Sequence, residues 1–176
     1  DEFKFGFQKF LSPSTEGLDL GYFKNDVLHG YGYSSLDLTH TKFHFGNFVE
    51  GSAHGYGILV RPDFYHYGEF KNSDRDGFGY YETDEQKVTG IYREGEGNGY
   101  FEFENNDGVL TAYQVKNGKG DGLGYTIDGD EYYLGEFKNS KFNGFGTYYN
   151  GQNYTGGFYK DNELIEELEF CKKLFG

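Results

Sequence analysis

The sequence predicts an all-β protein: an elongated single-layer antiparallel meander of about six to seven β-hairpin repeats, closed by a C-terminal α-helix. The first observation behind this prediction is composition. The 176 residues include 29 glycines, 19 phenylalanines and 18 tyrosines, but no tryptophan or methionine. Burial must therefore come largely from aromatic rings, which suits a thin sheet better than a thick core. The second observation is a glycine and aromatic pattern that recurs along nearly the whole chain.

The repeat has a glycine at position zero, an aromatic residue two places later and a second glycine nine places later. Residues Tyr133–Tyr148, with the sequence YLGEFKNSKFNGFGTY, are its best-preserved copy. Position zero is held by Gly21, Gly46, Gly68, Gly90, Tyr113, Gly135 and Gly156, and the aromatic position by Phe23, Phe48, Phe70, Tyr92, Val115, Phe137 and Phe158. A period of about 22 residues is typical of proteins in which each repeat buries its face against its neighbours.

Strand alternation places the zero glycine and the aromatic residue two places later on one face of a strand. A missing side chain leaves room for a ring, so we expect the rings of one repeat to lie over the glycines of the next. Turn-forming segments such as Asp128-Gly129-Asp130 separate the repeats and reverse the chain.

Three segments follow from this pattern. Residues 1–19 form an N-terminal strand and loop, because Phe3, Phe5 and Phe7 alternate with other residues, and we expect this strand to be the second half of a hairpin whose first half lies upstream. Residues 20–160 form the repeat array. Residues 161–176 form an amphipathic helix, with apolar residues at helical spacing that would cover the last sheet edge.

The formal net charge of -13 argues against nucleic acid as a partner and makes a membrane an unfavoured one, because both reward clustered lysine and arginine. The single cysteine, Cys171, excludes an internal disulfide framework and is compatible with a reducing compartment. No apolar run approaches the roughly 18 residues of a membrane span. Because the chain does not begin with methionine, we expect it to be a fragment or a processed form.

Residues Tyr133-x-Gly135-x-Phe137 with Gly144-Phe145-Gly146, and the two motifs His54-Gly55-Tyr56-Gly57 and His29-Gly30-Tyr31-Gly32, resemble the MORN (membrane occupation and recognition nexus) repeat. The resemblance covers residues 20–160. The chain departs from the family where Phe, Tyr or Val stands in place of the usual tryptophan, where Tyr113 replaces a zero glycine, where Phe101 replaces a last glycine, and where the seventh copy stops halfway. We expect a local irregularity of the sheet near residues 100–115.

The resemblance implies a function rather than a site. MORN proteins look like scaffolds, so we expect a non-enzymatic scaffold or adaptor that binds protein partners in a larger, multi-subunit cytoskeletal or ciliary assembly in the cytoplasm, with a homodimer as one option. Two alternatives stay open. In the first alternative, the chain is a regulatory MORN arm of an enzyme whose catalytic domain lies outside it. In the second, it is a phospholipid-associated module.

No catalytic, metal or cofactor site is predicted. The five histidines are His29, His40, His44, His54 and His66. On a strand the spacing of His40 and His44 does not give the one-face geometry of a helical zinc motif, so we expect structural or solvent roles for all five. No helix follows the glycine motifs to bind a phosphate. Cys171 falls on the apolar face of the predicted helix and is expected to pack.

Two surfaces are candidates for partner binding. The first is an aromatic stripe formed by Phe48, Phe70, Tyr92 and Phe137. An exposed apolar stripe marks an interaction site. The alternative is that the rings are fully buried between neighbouring repeats and form no docking surface.

The second candidate is a basic row three places after position zero, formed by Lys71, Arg93 and Lys138 together with Lys24 and Lys116. Alternation places this row on the face opposite the rings, where it would dock an acidic peptide or a lipid head group. The alternative is a ladder of solvated ion pairs, with Glu69 beside Lys71 and Glu136 beside Lys138.

Overall fold

The computed structural model describes residues 3–12 and 15–168, and within these ranges it consists of strands and turns, with no helix. The strands are β1 Lys4–Ser12, β2 Thr15–Lys24, β3 Val27–Ser35, β4 Phe43–Val49, β5 Ser52–Arg61, β6 Phe64–Lys71, β7 Asp74–Thr83, β8 Gln86–Arg93, β9 Glu96–Asn105, β10 Leu110–Lys116, β11 Lys119–Asp128, β12 Glu131–Lys138, β13 Lys141–Asn150, β14 Tyr154–Lys160 and β15 Glu163–Glu167.

The chain divides into two units. Unit 1 comprises Asp1–Asp84 and Tyr92–Gly95, and unit 2 comprises Glu85–Ile91 and Glu96–Gly176. In unit 1 each strand from β1 to β7 pairs antiparallel with the next, and in unit 2 the same holds from β9 to β15. The predicted all-β antiparallel meander of repeated hairpins is therefore confirmed within each unit.

The hairpins reverse on two-residue turns in which both residues have a positive φ. This is the geometry of the type I′ turn, whose twist matches that of paired strands. The turns are Asn25-Asp26, Glu50-Gly51, Asn72-Ser73, Glu94-Gly95, Asn117-Gly118, Asn139-Ser140 and Asp161-Asn162. They stand four and five places after the zero position in the first six copies, so the turn has the same place in every one of them.

Five of these turns are also attached to the hairpin before them. The second turn residue donates its backbone N–H to a carbonyl of the preceding hairpin. The pairs are Gly51 to Leu28 and Ser73 to Ala53 at 2.9 Å, Gly95 to Arg75 at 2.9 Å, Ser140 to Gly120 at 3.0 Å and Asn162 to Phe142 at 3.1 Å. These bonds tie successive hairpins together at their tips as well as along their strands.

Glycines lie opposite one another across the strands. In unit 1 the paired residues run Gly6, Gly21, Gly32, Gly46, Gly57, Gly68 and Gly79, and in unit 2 they run Gly124, Gly135, Gly146 and Gly157. Within a hairpin the approach is close: a Cβ on Gly21 would come 2.5 Å from the Cα of Gly32. No side chain fits between the strands at that point.

A bulge follows each of these hairpin pairs. The register shifts between Gly68 and Phe70, for example, and the bulged strand carries Gly77 with a φ of 116°. The Glu69 side chain lies over that glycine, where a Cβ would come 2.7 Å from its carboxylate. At Gly77 a glycine is therefore needed both for its φ and for the space it leaves, and a positive φ recurs at the equivalent Gly30, Gly55, Gly99, Gly122 and Gly144.

The core lies on one face of each sheet, over the glycine rows. In three hairpins the side chain two places before the zero glycine, His44, His66 or Tyr133, covers the last glycine of the same hairpin: a Cβ on Gly57 would meet His44 Cε1 at 2.5 Å, and one on Gly146 would meet Tyr133 Cε2 at 2.5 Å. In the first hairpin Leu28 covers Gly32 instead. The expectation that rings lie over the glycines of the next repeat is therefore wrong: these rings cover a glycine of their own hairpin, and Phe48 and Tyr92 lie 3.5 and 3.3 Å from where a Cβ would stand on Gly32 and Gly79 of the preceding repeat.

The two copies that lack a repeat glycine still pack an aromatic ring onto a glycine, but the ring and the glycine stand at different positions of the repeat. Phe101 replaces a last glycine and its ring lies on Gly90, where a Cβ would meet Cε1 at 2.5 Å. Tyr113 replaces a zero glycine and pairs with Gly124, and its ring lies on Gly120, where a Cβ would meet Cε2 at 2.6 Å. Phe101 and Tyr113 lie directly opposite each other on β9 and β10. Phe101 lies on β9 and Gly90 on β8, so here the second strand of the hairpin supplies the ring instead of the first. This is the form that the irregularity expected near residues 100–115 takes.

The seventh copy aligns differently from the sequence prediction. Gly157, rather than Gly156, pairs with Gly146, and Tyr159, rather than Phe158, enters the core. The copy does not stop halfway either, because β15 completes a hairpin with β14, with Tyr159 opposite Leu164.

The predicted C-terminal helix over 161–176 is wrong for Glu163–Glu167, which form the strand β15. Asp161 and Asn162 form a type I′ turn, and the following residues pair with the edge of β14. The rest of the predicted helix, including Cys171, falls on residues 169–176, outside the described ranges.

Candidate functional site

The aromatic stripe predicted as a docking surface forms the core. Phe48, Phe70 and Phe137 are 3% exposed and Tyr92 is 5% exposed. The prediction that these rings form an exposed groove is wrong, because neighbouring side chains enclose them on the face that carries the glycine-covering rings.

In unit 1 this core is a chain of edge-to-face ring contacts. His44 contacts Phe48 at 5.1 Å and Phe70 at 4.7 Å between ring centroids, and His66 contacts Phe70 at 5.3 Å and Tyr92 at 5.2 Å. Each histidine thus joins the ring of its own repeat to that of the next, with a geometry that aromatic pairs favour.

Unit 2 repeats the arrangement with a tyrosine in the histidine position. The Tyr133 ring contacts Phe137 at 5.5 Å and Tyr159 at 5.1 Å and stacks on Phe142 at 3.8 Å. Its hydroxyl donates to the Glu136 carbonyl at 3.0 Å. Burial, with the nearby Tyr159 and Glu136, raises the pKa of Tyr133 to about 12.

His44 and His66 are neutral packing groups. Burial lowers the pKa of each to about 4, and for His66 the nearby Arg75 and His44 lower it further. His44 Nε2 and both ring nitrogens of His66 are buried without a hydrogen-bond partner. Within the described ranges, no group of three or more histidine, cysteine, aspartate or glutamate side chains is placed to hold a metal ion.

The predicted basic row lies at the hairpin tips. Lys71, Arg93 and Lys138 are exposed and each ends its strand directly before the turn. The glutamates expected beside them have other contacts: Glu69 Oε1 accepts a hydrogen bond from the Tyr56 hydroxyl at 3.1 Å, and Glu136 Oε1 accepts one from the Phe145 N–H at 3.4 Å. Binding by this row stays a prediction.

The exposed apolar surface of unit 1 lies on the opposite face of its sheet, on residues that were not predicted as a site. We call it the outer row. Its members are Phe7, Leu20, Tyr33, Phe45, Ile58, Tyr67 and Tyr80, each directly opposite the next across neighbouring strands. Phe7 is 76% exposed, Phe45 52%, Tyr67 51% and Leu20 42%. The position before each zero glycine holds Leu20, Phe45 and Tyr67, a signal that was present in the sequence.

A second line of exposed side chains flanks the outer row across the glycines. In unit 1 it contains Tyr31, Tyr56 and Phe78, each at least half exposed. These residues follow the glycine nine places after position zero, and alternation places them on the same face as the outer row. The outer row and this second line together form a contiguous, largely aromatic surface, and the row of paired glycines lies between them.

Carboxylates border this surface. The hydroxyls of Tyr65 and Tyr80 both donate to Glu82, and Tyr56 donates to Glu69. Partial burial and the Glu82 hydrogen bond raise the pKa of Tyr80, and the Glu69 hydrogen bond raises that of Tyr56. The hydroxyls therefore stay protonated, and the edge of the surface carries negative charge.

Models of protein families and curated proteins were both compared with the chain, and neither comparison gives a match. Among the residues that the structure describes, no helix is long and apolar enough to cross a membrane.

Proposed function

We propose that the chain is a MORN-type, non-enzymatic scaffold that binds a protein partner through the outer row of unit 1. The observation that carries this is the contiguous line of apolar side chains from Phe7 to Tyr80, in which Phe7, Leu20, Phe45 and Tyr67 are exposed. Large exposed apolar patches on soluble proteins are commonly interaction sites.

The outer row is free for binding because the fold uses the other face. The glycine-covering rings and the aromatic residues two places after position zero supply the buried core, whereas Phe45 and Tyr67 stay half exposed. Aromatic side chains carry a large share of interface energy for the area that they bury. The bordering carboxylates of Glu69 and Glu82 favour a partner segment that combines apolar side chains with lysine or arginine.

The resemblance to MORN repeats supports the rest of the proposal. The meander of repeated hairpins in each unit is compatible with such a repeat, and the family implies a cytoplasmic scaffold in a cytoskeletal or ciliary assembly. The carboxylates of Glu69 and Glu82 border the exposed rings and the chain carries a formal net charge of -13, which favours a protein partner over an anionic membrane.

Site-specific photocrosslinking tests this proposal in native material. A benzophenone amino acid at Phe45 should capture a defined protein, and the same group at Leu38, which is exposed in the loop after β3, should not. The double variant Phe45→Ser/Tyr67→Ser, carrying the crosslinker at Phe7, should lose the captured protein while keeping its β-sheet circular dichroism.

Two results would overturn the proposal. One is equal capture of the same protein from Phe45 and Leu38. The other is capture from Phe7 that the double variant leaves unchanged. Co-sedimentation with anionic liposomes at physiological salt, abolished by the same double variant, would assign the outer row to lipid instead.

A further inference from the structure

One hairpin of unit 2 has a small polar residue where three other hairpins have a ring. The position two places before position zero holds His44, His66 and Tyr133 in those three, but Thr111 in the hairpin of β10 and β11. Thr111 lies opposite Thr126, and the two hydroxyls are hydrogen-bonded at 3.1 Å. The space that a large ring fills in the other hairpins is therefore not filled by this side chain.

A hollow of about 570 Å³ lies on the core face of unit 2, beside these two threonines. Its volume falls in the range of about 300–1,000 Å³ that is usual for small-molecule sites. The rings of Phe103, Tyr113 and Phe142 line it and are half-buried, so they keep surface that a ligand can cover. Phe103 and Phe137 each contact Tyr113 at 5.1 Å between ring centroids, which makes the aromatic wall continuous.

The remaining lining of the hollow is polar but uncharged. Apart from Val109, it consists of amide and hydroxyl side chains. Among the residues that the structure describes, no aspartate, glutamate, lysine, arginine or histidine lines the hollow. An anionic ligand therefore finds no counter-charge here, in a chain whose formal net charge is -13, and a cationic ligand finds no carboxylate.

Two asparagines are held so that their amide N–H groups are available to a ligand. Asn105 Oδ1 accepts hydrogen bonds from the backbone N–H groups of Asp107 at 3.0 Å and Val109 at 2.9 Å. Asn162 Oδ1 accepts one from the N–H of Phe142 at 2.8 Å. These bonds determine which way each amide points. Neither Nδ2 group has a hydrogen-bond partner among the described residues, so both can donate to a ligand.

Hydroxyl groups add further donors and acceptors. Ser140 Oγ accepts a hydrogen bond from the N–H of Gly120 at 3.1 Å, which leaves its O–H available to a ligand. The Thr111 and Thr126 hydroxyls share one hydrogen bond, so one O–H and several lone pairs remain. The hollow thus combines ring surfaces with fixed, uncharged hydrogen-bonding groups.

We propose that this hollow binds a neutral saccharide. A sugar ring has a face of C–H bonds, which packs on aromatic rings, and an edge of hydroxyls, which accept and donate hydrogen bonds. The C–H face lies on the Phe103 and Tyr113 rings, and the hydroxyls accept from the amides of Asn105 and Asn162. A few placed polar groups on an apolar wall are the usual means of orienting a small ligand.

The site is separate from the surface in the proposed function. It lies on the core face of unit 2, whereas the proposed protein partner binds the outer row of unit 1 on the opposite face of that sheet. The inference therefore goes beyond the proposed function. The double variant Phe45→Ser/Tyr67→Ser should leave saccharide binding unchanged, so failure of one proposal is distinguishable from failure of the other.

Saturation-transfer NMR with the full chain is a direct test. The probes are four neutral disaccharides: maltose, cellobiose, lactose and diacetylchitobiose. At least one of them should show saturable transfer with a Kd below about 10 mM. Titration of that sugar then gives the affinity against which variants of the chain are compared.

Asn105→Asp and Asn162→Asp are the informative variants, because aspartate keeps the oxygen that accepts the backbone bonds and loses the N–H donors. Each should weaken sugar binding at least about tenfold, with circular dichroism and thermal unfolding close to those of the wild type. Asn150→Asp is the matched control. Asn150 Oδ1 also accepts backbone bonds, from Gln152 at 3.0 Å and Asn153 at 2.8 Å, but this residue does not line the hollow. It should leave binding unchanged.

Three results would each contradict the saccharide site: no transfer to any of the four disaccharides, full sugar binding by either Asn105→Asp or Asn162→Asp, or an equal loss of binding in Asn150→Asp. Transfer to adenosine but to none of the sugars, lost in the Asn105→Asp and Asn162→Asp variants, would assign the hollow to a nucleoside and overturn the ligand class proposed here.

Discussion

The imidazole of His66 lies on the backbone of Gly79, so that a Cβ added to this glycine would come within 2.8 Å of Nε2. The glycine and the ring belong to one hairpin and are complementary in shape. The same relationship joins His44 to Gly57 and Tyr133 to Gly146, and it makes the glycines part of the core.

Gly79→Ala should therefore destabilise unit 1. The added methyl group has to displace the buried His66 ring, and overpacking of this kind typically costs about 1–3 kcal/mol. Urea unfolding followed by circular dichroism measures the change in the free energy of unfolding. Gly6→Ala is the control, because its Cβ meets nothing within 4 Å; equal losses for the two variants would contradict the assignment.

Phe70→Ala should be among the most damaging single changes in unit 1. The ring contacts both His44 and His66 and is buried, and removal of a buried phenylalanine ring typically costs about 3–5 kcal/mol. Phe78→Ala, on the exposed face, should change the free energy of unfolding by less than about 0.5 kcal/mol. A similar loss for both would contradict the assignment of Phe70 to the buried face and Phe78 to the exposed face.

Tyr159→Ala and Phe158→Ala test the register of the last hairpin. Tyr159 lies in the cluster with Tyr133 and Phe137, whereas Phe158 is exposed. Thermal unfolding of unit 2 should shift downward clearly for Tyr159→Ala and little for Phe158→Ala. The opposite order would restore the alignment on Gly156 that the sequence predicts.

Unit 1 should lose stability in acid through its buried histidines. The pKa of His66 is about 4 in the folded protein against an ordinary value of 6.5, so the unfolded chain binds the proton more readily. The contribution is complete above about pH 6.5 and is lost as the pH falls toward 4, at about 1.4 kcal/mol for each unit of pKa difference.

His66→Phe should remove part of this pH dependence, since a ring remains over Gly79 but cannot titrate. The measurement is the difference in free energy of unfolding between the variant and the wild type from pH 7 to pH 4, which cancels the contribution of other groups, such as Asp19, whose pKa is raised by burial. A difference that stays constant across that range would contradict the role of His66.

Much of the architecture follows from the sequence because spacing alone sets it. The period of the glycines predicts the hairpins, and alternation places Phe48 and Phe70 on one face with the zero glycines. Spacing could not show which face packs, because Phe45 and Tyr67 form an equally aromatic line one position away. Burial in the structure separates the two lines, because Phe48 and Phe70 are 3% exposed whereas Phe45 is 52% and Tyr67 51% exposed.

Two errors have local causes. Gly156 and Gly157 are adjacent, so either could be the zero glycine, and only pairing with Gly146 separates them. After them, Leu164 and Leu168 have the spacing of a helix, yet Asp161-Asn162 adopts the turn found in the other hairpins. The turn and the pairing of β15 with β14 therefore determine the structure of Glu163–Glu167, and the helical spacing of the leucines does not.

The hydrogen bonds that tie five of the turns to the preceding hairpin have a consequence for the folding rate of the chain. Bonds such as Gly120 N–H to Ser140 Oγ join residues only 20 positions apart, and strands pair only with their sequence neighbours within each unit. Such low contact order is unusual for a β-protein and favours rapid folding. Each unit is expected to form by hairpin-to-hairpin growth from any starting point, as nearest-neighbour arrays do.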